Sequence, residues 1–208
     1  MLTAAECDVL IKALSDLTRG RAGVRHLMRN SAVASLAADQ RLLEIARLLL
    51  GAHAVPFRAT LFEKSGKANW LVAWHQDTAL PLASHFDDAG WGPWSAKAGV
   101  LYAHAPAWAL ARVLALRIHL DPSTSENGPL RVIPASHSAG VLTDAQVIEH
   151  ARTQPSTECP VPRGGVLAMR PLIIHASSKA REGDPRRVLH IEYAESLDLA
   201  AGIRLAVT

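Results

Sequence analysis

His75 and Asp77 are the two residues whose types and spacing most clearly indicate chemistry. In an extended strand every second side chain points the same way, so an imidazole and a carboxylate separated by one residue can bind one ion. A second histidine would complete the two-histidine, one-carboxylate set that binds non-haem Fe(II) and leaves coordination positions open. The pair therefore predicts a metal site, although His-x-Asp alone also occurs by chance in many proteins.

The sequence contains 10 histidines, so the third ligand must be chosen by its context. His175 closes an apolar run, residues 172–174, which predicts a position at the end of a buried strand. Arg186 opens the next predicted strand, and its planar guanidinium could hold the distal carboxylate of a dicarboxylate cosubstrate. Arg187 must point to the opposite face of that strand, where an ion-paired or surface role is expected.

Composition and charge narrow the classes of function. A length of 208 residues favours one domain, and 49% hydrophobic residues predict a sizeable core. The formal charge of +3, without a run of Lys or Arg, gives no support for a nucleic-acid partner. No stretch is apolar enough to span a membrane and no signal-peptide pattern is present, so we expect no membrane partner and a cytoplasmic location. Cys7 and Cys159 are expected to be reduced thiols.

The hydrophobic pattern divides the single predicted domain, residues 1–208, into two parts. Residues 1–55 predict helices, one of which begins near Asp39 and ends at Gly51. In residues 56–208 the period changes to two, which is typical of short strands. The expected fold is mainly β, a closed or double-sheet core with the N-terminal helices packed on the sheet.

The predicted strands are residues 57–62, 70–75, 112–120, 166–175 and 186–193. A polar turn at residues 65–67 is expected to join the first two strands, and Asn127-Gly128 is a strong turn signal.

Residues 84–108 are rich in aromatic residues and show weak periodicity. A long aromatic loop directly after the metal-binding strand can form a lid or a substrate wall, and it can equally plug one end of the barrel. Trp94 and Tyr102 predict an apolar or ring-bearing substrate packed by this segment. Arg117 is a candidate contact for an anionic substrate group, with an ion pair inside the protein as the alternative.

Residues 127–137, NGPLRVIPASH, resemble the NGPLRVIPGSH signature of the phytanoyl-CoA dioxygenase family. The pair His75-x-Asp77, then this signature, then His175 and Arg186 occur in that family in the same order. The resemblance covers roughly residues 56–195 and implies a cupin-like double-stranded β-helix, or jelly roll. It also implies Fe(II)- and 2-oxoglutarate-dependent oxygenation.

The resemblance also implies a role for each site residue. His75, Asp77 and His175 correspond to the iron ligands, Arg186 to the anchor of the distal carboxylate of 2-oxoglutarate, and Ser177 to a serine that helps to hold this cosubstrate. The implied reaction consumes O2, releases succinate and CO2, and hydroxylates an unactivated C–H bond of a small organic molecule. Halogenating relatives lack the carboxylate, so Asp77 favours hydroxylation, with desaturation or ring formation as other outcomes.

The chain departs from the family pattern at two small residues. Ala135 stands where the signature more often has glycine, which matters if that turn needs a positive φ angle, and Ala176 follows the ligand histidine where glycine is frequent. The chain is also short for the family, so the resemblance does not assign a substrate, including a fatty acyl-CoA.

Three other functions are alternatives to this interpretation. A cupin-like metal enzyme that does not use 2-oxoglutarate would not need Arg186. A non-catalytic small-molecule-binding β-barrel would not need an intact ligand triad. A nucleic-acid demethylase is disfavoured because the sequence has no basic stripe. The sequence does not predict the oligomeric state.

Overall fold

A computed structural model of the chain describes residues 1–18, 23–64, 69–180 and 185–208. The helices are α1 (Ala4–Thr18), α2 (Ser31–Ala37), α3 (Gln40–Leu50), α4 (Ala107–Leu110) and α5 (Asp144–Thr153), with short 3-10 helices at Leu27–Arg29 and Ser136–Ala139. The strands are β1 (Gly23–Val24), β2 (Val55–Lys64), β3 (Val72–His75), β4 (Ala79–Leu82), β5 (Trp94–Lys97), β6 (Val100–His104), β7 (Val113–His119), β8 (Leu130–Val132), β9 (Thr157–Cys159), β10 (Val166–Met169), β11 (His175–Ser177), β12 (Arg186–Ala194), β13 (Asp198–Ala200) and β14 (Ile203–Arg204). In these residues no helix is both long and apolar enough to cross a membrane.

Two antiparallel sheets enclose the interior of the protein. The larger sheet has the strand order β1-β2-β12-β7-β10, and the smaller has the order β3-β11-β8-β9. Side chains from both sheets line one internal cavity, so the two sheets face each other across it. A third sheet, β4-β6-β5, contributes to the wall of a second cavity. The expectation of a mainly β fold with flanking helices is confirmed.

The N-terminal helices cover the outer face of the larger sheet. On β7, Leu114, Leu116 and Ile118 are buried in one cluster with Leu10 of α1 and Leu42 of α3. Each fully buried side chain of this size stabilises the fold by about 1.5–3 kcal/mol. Because alternate residues of a strand face opposite ways, this packing leaves the inner face of the sheet available for polar groups.

The predicted boundaries of α3 agree with the structure. The Asp39 side chain accepts a hydrogen bond from the backbone N–H of Arg41 at 2.9 Å, as an N-terminal cap does. At the other end, Gly51 has a φ of +108°, a backbone conformation that residues with a side chain rarely adopt. The sequence signals for both ends of α3 are therefore confirmed.

The predicted single strand over residues 166–175 is wrong. The chain forms β10 at Val166–Met169 in the larger sheet and resumes as β11 at His175 in the smaller sheet. Between them the chain turns, and the backbone N–H of Ile173 donates to the carbonyl of Arg170 at 3.1 Å. Pro171 has no N–H for a sheet, which favours this break. His175 therefore begins a buried strand instead of ending one.

The remaining predicted strands correspond to β2, β3, β7 and β12. The turn predicted at residues 65–67 lies outside the described residues. Residues 84–108 are not one long loop, because β5 and β6 pair there as a hairpin.

The signature segment places two residues in the left-handed backbone region. Gly128 has a φ of +69°, and a Cβ at this position would lie 2.3 Å from the carbonyl oxygen of Ser178. Only glycine fits this approach. Ala135 has a φ of +62°, so the turn where the family prefers glycine does require a positive φ.

Candidate metal centre and its two cavities

The structure brings His75, Asp77 and His175 together. One ligand atom from each of these side chains lies within 4.8 Å of the others. The Nε2 atoms of His75 and His175 are 3.7 and 3.6 Å from the two carboxylate oxygens of Asp77. Two imidazole nitrogens and one carboxylate oxygen that converge on one point are the donor set that ferrous oxygenases use.

Backbone pairing fixes this convergence. His75 of β3 lies directly opposite His175 of β11 in the smaller sheet. Asp77 lies just past the end of β3, where its N–H donates to the carbonyl of Pro171 at 2.9 Å. Gln76 points the other way, and its amide donates to the carbonyls of Leu172 at 2.7 Å and of Gly140 at 2.9 Å. These contacts hold the residues on both sides of Gln76 toward the ion position.

Each histidine is oriented by a backbone carbonyl. His75 Nδ1 lies 2.8 Å from the carbonyl oxygen of Ala73, and His175 Nδ1 lies 2.9 Å from that of Ile173. With the proton on Nδ1, each ring donates this hydrogen bond and keeps the Nε2 lone pair for a metal. The two rings therefore present the nitrogen that faces Asp77.

The ionisation states also suit metal binding. Burial lowers the pKa of His175 to about 4, so this ring is neutral at pH 7. Burial acts to raise the pKa of Asp77, but the nearby His175, His190 and His75 rings and Arg58 lower it to about 2. Metal ligands must be neutral imidazoles and ionised carboxylates, and these two residues already have those states.

The first of two cavities at this centre lies between the sheets and has a volume of about 100 Å³. The triad forms part of its wall. The other lining residues are Phe62, Lys64, Trp70, Val72, Arg117, Leu130, Ala176, Ser177, Arg186 and His190. Among the described residues that line it, the cations are Arg117, Arg186 and Lys64, and the only carboxylate is that of Asp77.

Arg186 is held in this cavity with unused hydrogen-bonding capacity. Its side chain is buried, and Nη2 donates to Ser177 Oγ at 3.2 Å. Nε and Nη1 have no partner among the described residues. Buried N–H donors are nearly always paired in native proteins, so a guanidinium in this state indicates a site for an anionic ligand. Arg187, in contrast, forms a bidentate pair with Asp121 at 2.7 and 2.9 Å.

Ser177 links the cations of the first cavity. Its hydroxyl donates to the carbonyl of Gly128 at 2.8 Å and accepts from Lys64 Nζ at 2.7 Å, besides the bond from Arg186. Lys64 also donates to the carbonyl of Ser178. The turn at Gly128 thereby helps to position Ser177, Lys64 and Arg186 in this cavity.

The charges of these cations are perturbed by burial. Burial, with Arg186 and Arg117 nearby, lowers the pKa of Lys64 to about 7. Burial lowers the pKa of Arg186 to about 10, with a further effect of Arg117, and burial lowers that of Arg117 to about 10. Both arginines therefore stay charged at pH 7, and Lys64 is poised between its two states. A bound dicarboxylate would favour all three charged forms.

The second cavity lies on another side of the triad and has a volume of about 350 Å³. It shares His75, Asp77, His190 and Phe62 with the first cavity. Its other lining residues are Arg25, Arg58, Thr60, Gln76, Thr78, Ala79, Lys97, Tyr102, His104 and Glu192. A molecule in this space would adjoin the ion position, as the substrate of a metal enzyme must.

Paired charges dominate the inner part of the second cavity. Arg58 forms an ion pair with Glu192, which is buried, and Nη1 of Arg58 donates to the carbonyl of Ala79 at 3.0 Å. Near the surface, Lys97 Nζ lies 5.0 Å from the centre of the Tyr102 ring. This ring is buried and its hydroxyl lies 2.9 Å from His26 Nε2.

Alternate residues of one strand serve both cavities. On β2, Arg58 and Thr60 line the second cavity, Phe62 lines both, and Lys64 lines the first. Their shared face follows from the period of two in an extended strand.

The structure separates the predicted substrate contacts. Tyr102 lines the second cavity, whereas Arg117 lines the first and lies 3.0 Å from His190 Nδ1. Trp94 lines neither cavity and packs against Phe86 and His85. Residues 84–108 therefore supply a wall of the second cavity through Lys97, Tyr102 and His104, while their tryptophans pack elsewhere.

Sequence reasoning did not find the cations of the second cavity. Arg25, Arg58 and Lys97 come from separate segments and carry no shared motif. The one available signal was the alternation on β2, where Arg58 and Lys64 occur at positions that an interior strand face would occupy.

Comparisons with known proteins identify the family and the fold of the chain. The sequence model of the family described as phytanoyl-CoA dioxygenase (PhyH) matches residues 11–188. No curated protein matches the sequence.

Several solved structures have a similar fold. AviO1 from Streptomyces viridochromogenes Tue57 is 24% identical with a TM-score of 0.63, over 91% of this chain and 81% of that one. EctD from S. alaskensis with 2-oxoglutarate and 5-hydroxyectoine is 22% identical with a TM-score of 0.68, over 93% and 69%. The carbocyclase SnoK from nogalamycin biosynthesis, described as non-haem and α-ketoglutarate dependent, is 18% identical with a TM-score of 0.70, over 93% and 77%. At these identities the likeness establishes the fold, the expected double-stranded β-helix.

Proposed function

We propose that this chain, which belongs to the phytanoyl-CoA dioxygenase family and is an Fe(II)- and 2-oxoglutarate-dependent dioxygenase, hydroxylates a C–H bond of a small organic molecule. In the overall reaction, the substrate, 2-oxoglutarate and O2 give the alcohol, succinate and CO2. His75, Asp77 and His175 would hold the ferrous ion, and the second cavity would hold the substrate.

The observation that carries the proposal is the state of Arg186. Its Nε and Nη1 atoms have no partner among the described residues, and the guanidinium lines the cavity that the triad also lines. A cupin-like metal enzyme without a dicarboxylate cosubstrate has no use for a buried, incompletely paired guanidinium, which is costly to maintain. A binding module without catalysis has no use for the converging triad.

When bound, the ferrous ion supplies the activation of O2, coupled to oxidative decarboxylation of 2-oxoglutarate. The residues of this chain bind and orient the cosubstrate and the substrate. Arg186 and Ser177 would hold the distal carboxylate of 2-oxoglutarate, with Lys64 and Arg117 adding positive charge around it. Phe62 and His190 border both cavities, so they would fix the substrate relative to the cosubstrate.

Hydroxylation is the outcome that the triad favours. Asp77 supplies the carboxylate that halogenating relatives lack, as the sequence resemblance implies. The similarity to a carbocyclase indicates that the same fold also supports ring formation, and the position of the substrate C–H bond decides between these outcomes.

We also propose that the protein is located in the cytoplasm. Cys7 and Cys159 are not joined in a disulfide, which supports the proposed cytoplasmic location.

Anaerobic titration with Fe(II) and 2-oxoglutarate tests the proposal. We expect the wild-type protein to develop the visible metal-to-ligand charge-transfer band of the bound cosubstrate. His75→Ala should lose this band because a ligand is missing. His53→Ala is the matched control, since this exposed histidine lines neither cavity, and it should keep the band. A band of equal intensity in His75→Ala would contradict the ligand assignment.

A further inference from the structure

We propose that the substrate carries an anionic group, a carboxylate or a phosphate, which Arg58, Arg25 and Lys97 bind in the second cavity. This inference rests on the proposed function, because it takes the second cavity as the place where the substrate adjoins the metal centre.

The charge balance of the second cavity is the first argument. Its cations are Arg25, Arg58 and Lys97, and its carboxylates are those of Asp77 and Glu192. Asp77 belongs to the metal centre, and Glu192 is paired with Arg58. The other two cations therefore have no carboxylate partner among the described residues. An anionic substrate would be attracted into this cavity, and a cationic one would be repelled.

The arrangement of the cations is the second argument. The guanidinium of Arg58 is held by Glu192 and by the carbonyl of Ala79, so it loses little freedom when a ligand binds. Lys97 and Arg25 are exposed residues of the same wall. A substrate anion can thus bind to a fixed cation inside the cavity and to two exposed cations of the same wall.

The polar lining is the third argument. Thr60, Thr78 and His104 add hydroxyl and imidazole groups, and Thr78 Oγ1 lies 2.7 Å from His104 Nδ1. Trp94, which was expected to contact the substrate, does not line this space, whereas Tyr102 does. The volume of about 350 Å³ is at the lower end of small-molecule sites. These features favour a compact, polar, anionic molecule over the apolar one that the aromatic segment predicted.

Matched pairs of small molecules test the charge requirement. The probes are hexanoate with hexanamide, 4-hydroxybenzoate with 4-hydroxybenzamide, and glycerol 3-phosphate with glycerol. Dissociation constants are measured anaerobically by calorimetry on the protein saturated with Fe(II) and 2-oxoglutarate, so that the first cavity is filled. The carboxylate and phosphate pairs distinguish the two kinds of anion.

We expect the preferred anion to bind the wild-type protein at least about tenfold more tightly than its neutral partner, because its hydrogen bonds are charge-assisted. In Arg25→Gln/Lys97→Gln this preference should fall to about threefold or less, since Arg58 remains. Lys12→Gln/Arg152→Gln removes the same charge from exposed positions outside the cavity and should keep the full preference.

Three results would overturn the inference. These are equal binding within every pair, no binding of any anion, and a preference that persists unchanged in Arg25→Gln/Lys97→Gln. The charge-transfer band is recorded in the same samples. If that band is absent from the wild type, the proposed function fails; if it is present without an anion preference, only this inference fails.

Discussion

The two cavities that meet at His75 and Asp77 hold positive charge in different ways. In the first cavity the guanidinium of Arg186 is buried and two of its nitrogen atoms lack partners among the described residues. In the second, Arg58 is matched by the buried carboxylate of Glu192. An unmatched buried cation indicates a ligand that brings its own negative charge, whereas a matched pair contributes to the fold before any ligand arrives.

This difference predicts opposite effects of the same substitution on stability. A buried charge that loses its partner is strongly destabilising, whereas a buried charge without a carboxylate partner can be replaced by an apolar side chain at little loss. The comparison can therefore be tested by replacing Arg58 and Arg186 with methionine, one at a time.

The largest effect is expected for Arg58→Met. Because Glu192 is only 1% exposed and would lose its partner, we expect the free energy of unfolding to fall by about 3–5 kcal/mol. Arg58→Met/Glu192→Leu should recover most of this loss, since the double variant leaves no unpaired charge. Urea unfolding measures both. A single variant as stable as the wild type would show that the buried carboxylate of Glu192 does not depend on Arg58.

The next effect is expected for Arg186→Met. The dissociation constant of 2-oxoglutarate should rise by about 100-fold, because the anchor for its distal carboxylate is lost. The free protein should unfold at the same urea concentration as the wild type or a higher one. Added 2-oxoglutarate should stabilise the wild type and not the variant. Arg47→Met, at an exposed position of α3, is the control and should change neither quantity. A variant with unchanged affinity would contradict the assignment of the anchor.

The smallest effect concerns the protonation of Lys64. Its pKa is lowered to about 7 by burial and by Arg186 and Arg117, so the charged form is lost as the pH rises through 7. The protonated ammonium attracts a dicarboxylate, so the affinity for 2-oxoglutarate should fall by up to about tenfold between pH 6 and pH 9. In Lys64→Met the affinity should be lower and should vary little over this range. Titrations at several pH values, monitored by the charge-transfer band, measure this dependence.

The convergence of His75, Asp77 and His175 could be predicted from the sequence because its signals are local. His75 and Asp77 are separated by one residue, and His175 follows an apolar run. The family signature then indicated that these distant segments belong to one site. The strand prediction failed at Arg170-Pro171, where the chain passes from one sheet to the other. Apolar residues stand on both sides of this point, and the proline was the sequence signal that marked the break.

The second cavity could not be predicted in the same way. Arg25 lies next to β1, Arg58 lies on β2 and Lys97 lies on β5, and only the folded chain brings them to one wall. In the sequence alone, nothing distinguishes these three residues from the other cationic residues of the surface. The aromatic residues of 84–108 gave the stronger signal, but Trp91 is only 6% exposed and serves the core.

The shared face of β2 has a consequence for how this protein can change over evolutionary time. Thr60 and Phe62 can each be replaced alone, so the choice of substrate can drift while Lys64 keeps its contact with Ser177. The insertion or deletion of a single amino acid between Arg58 and Lys64 would turn one end of this row toward the helices. Lineages derived from this sequence should therefore vary in side chains along β2 and keep its length.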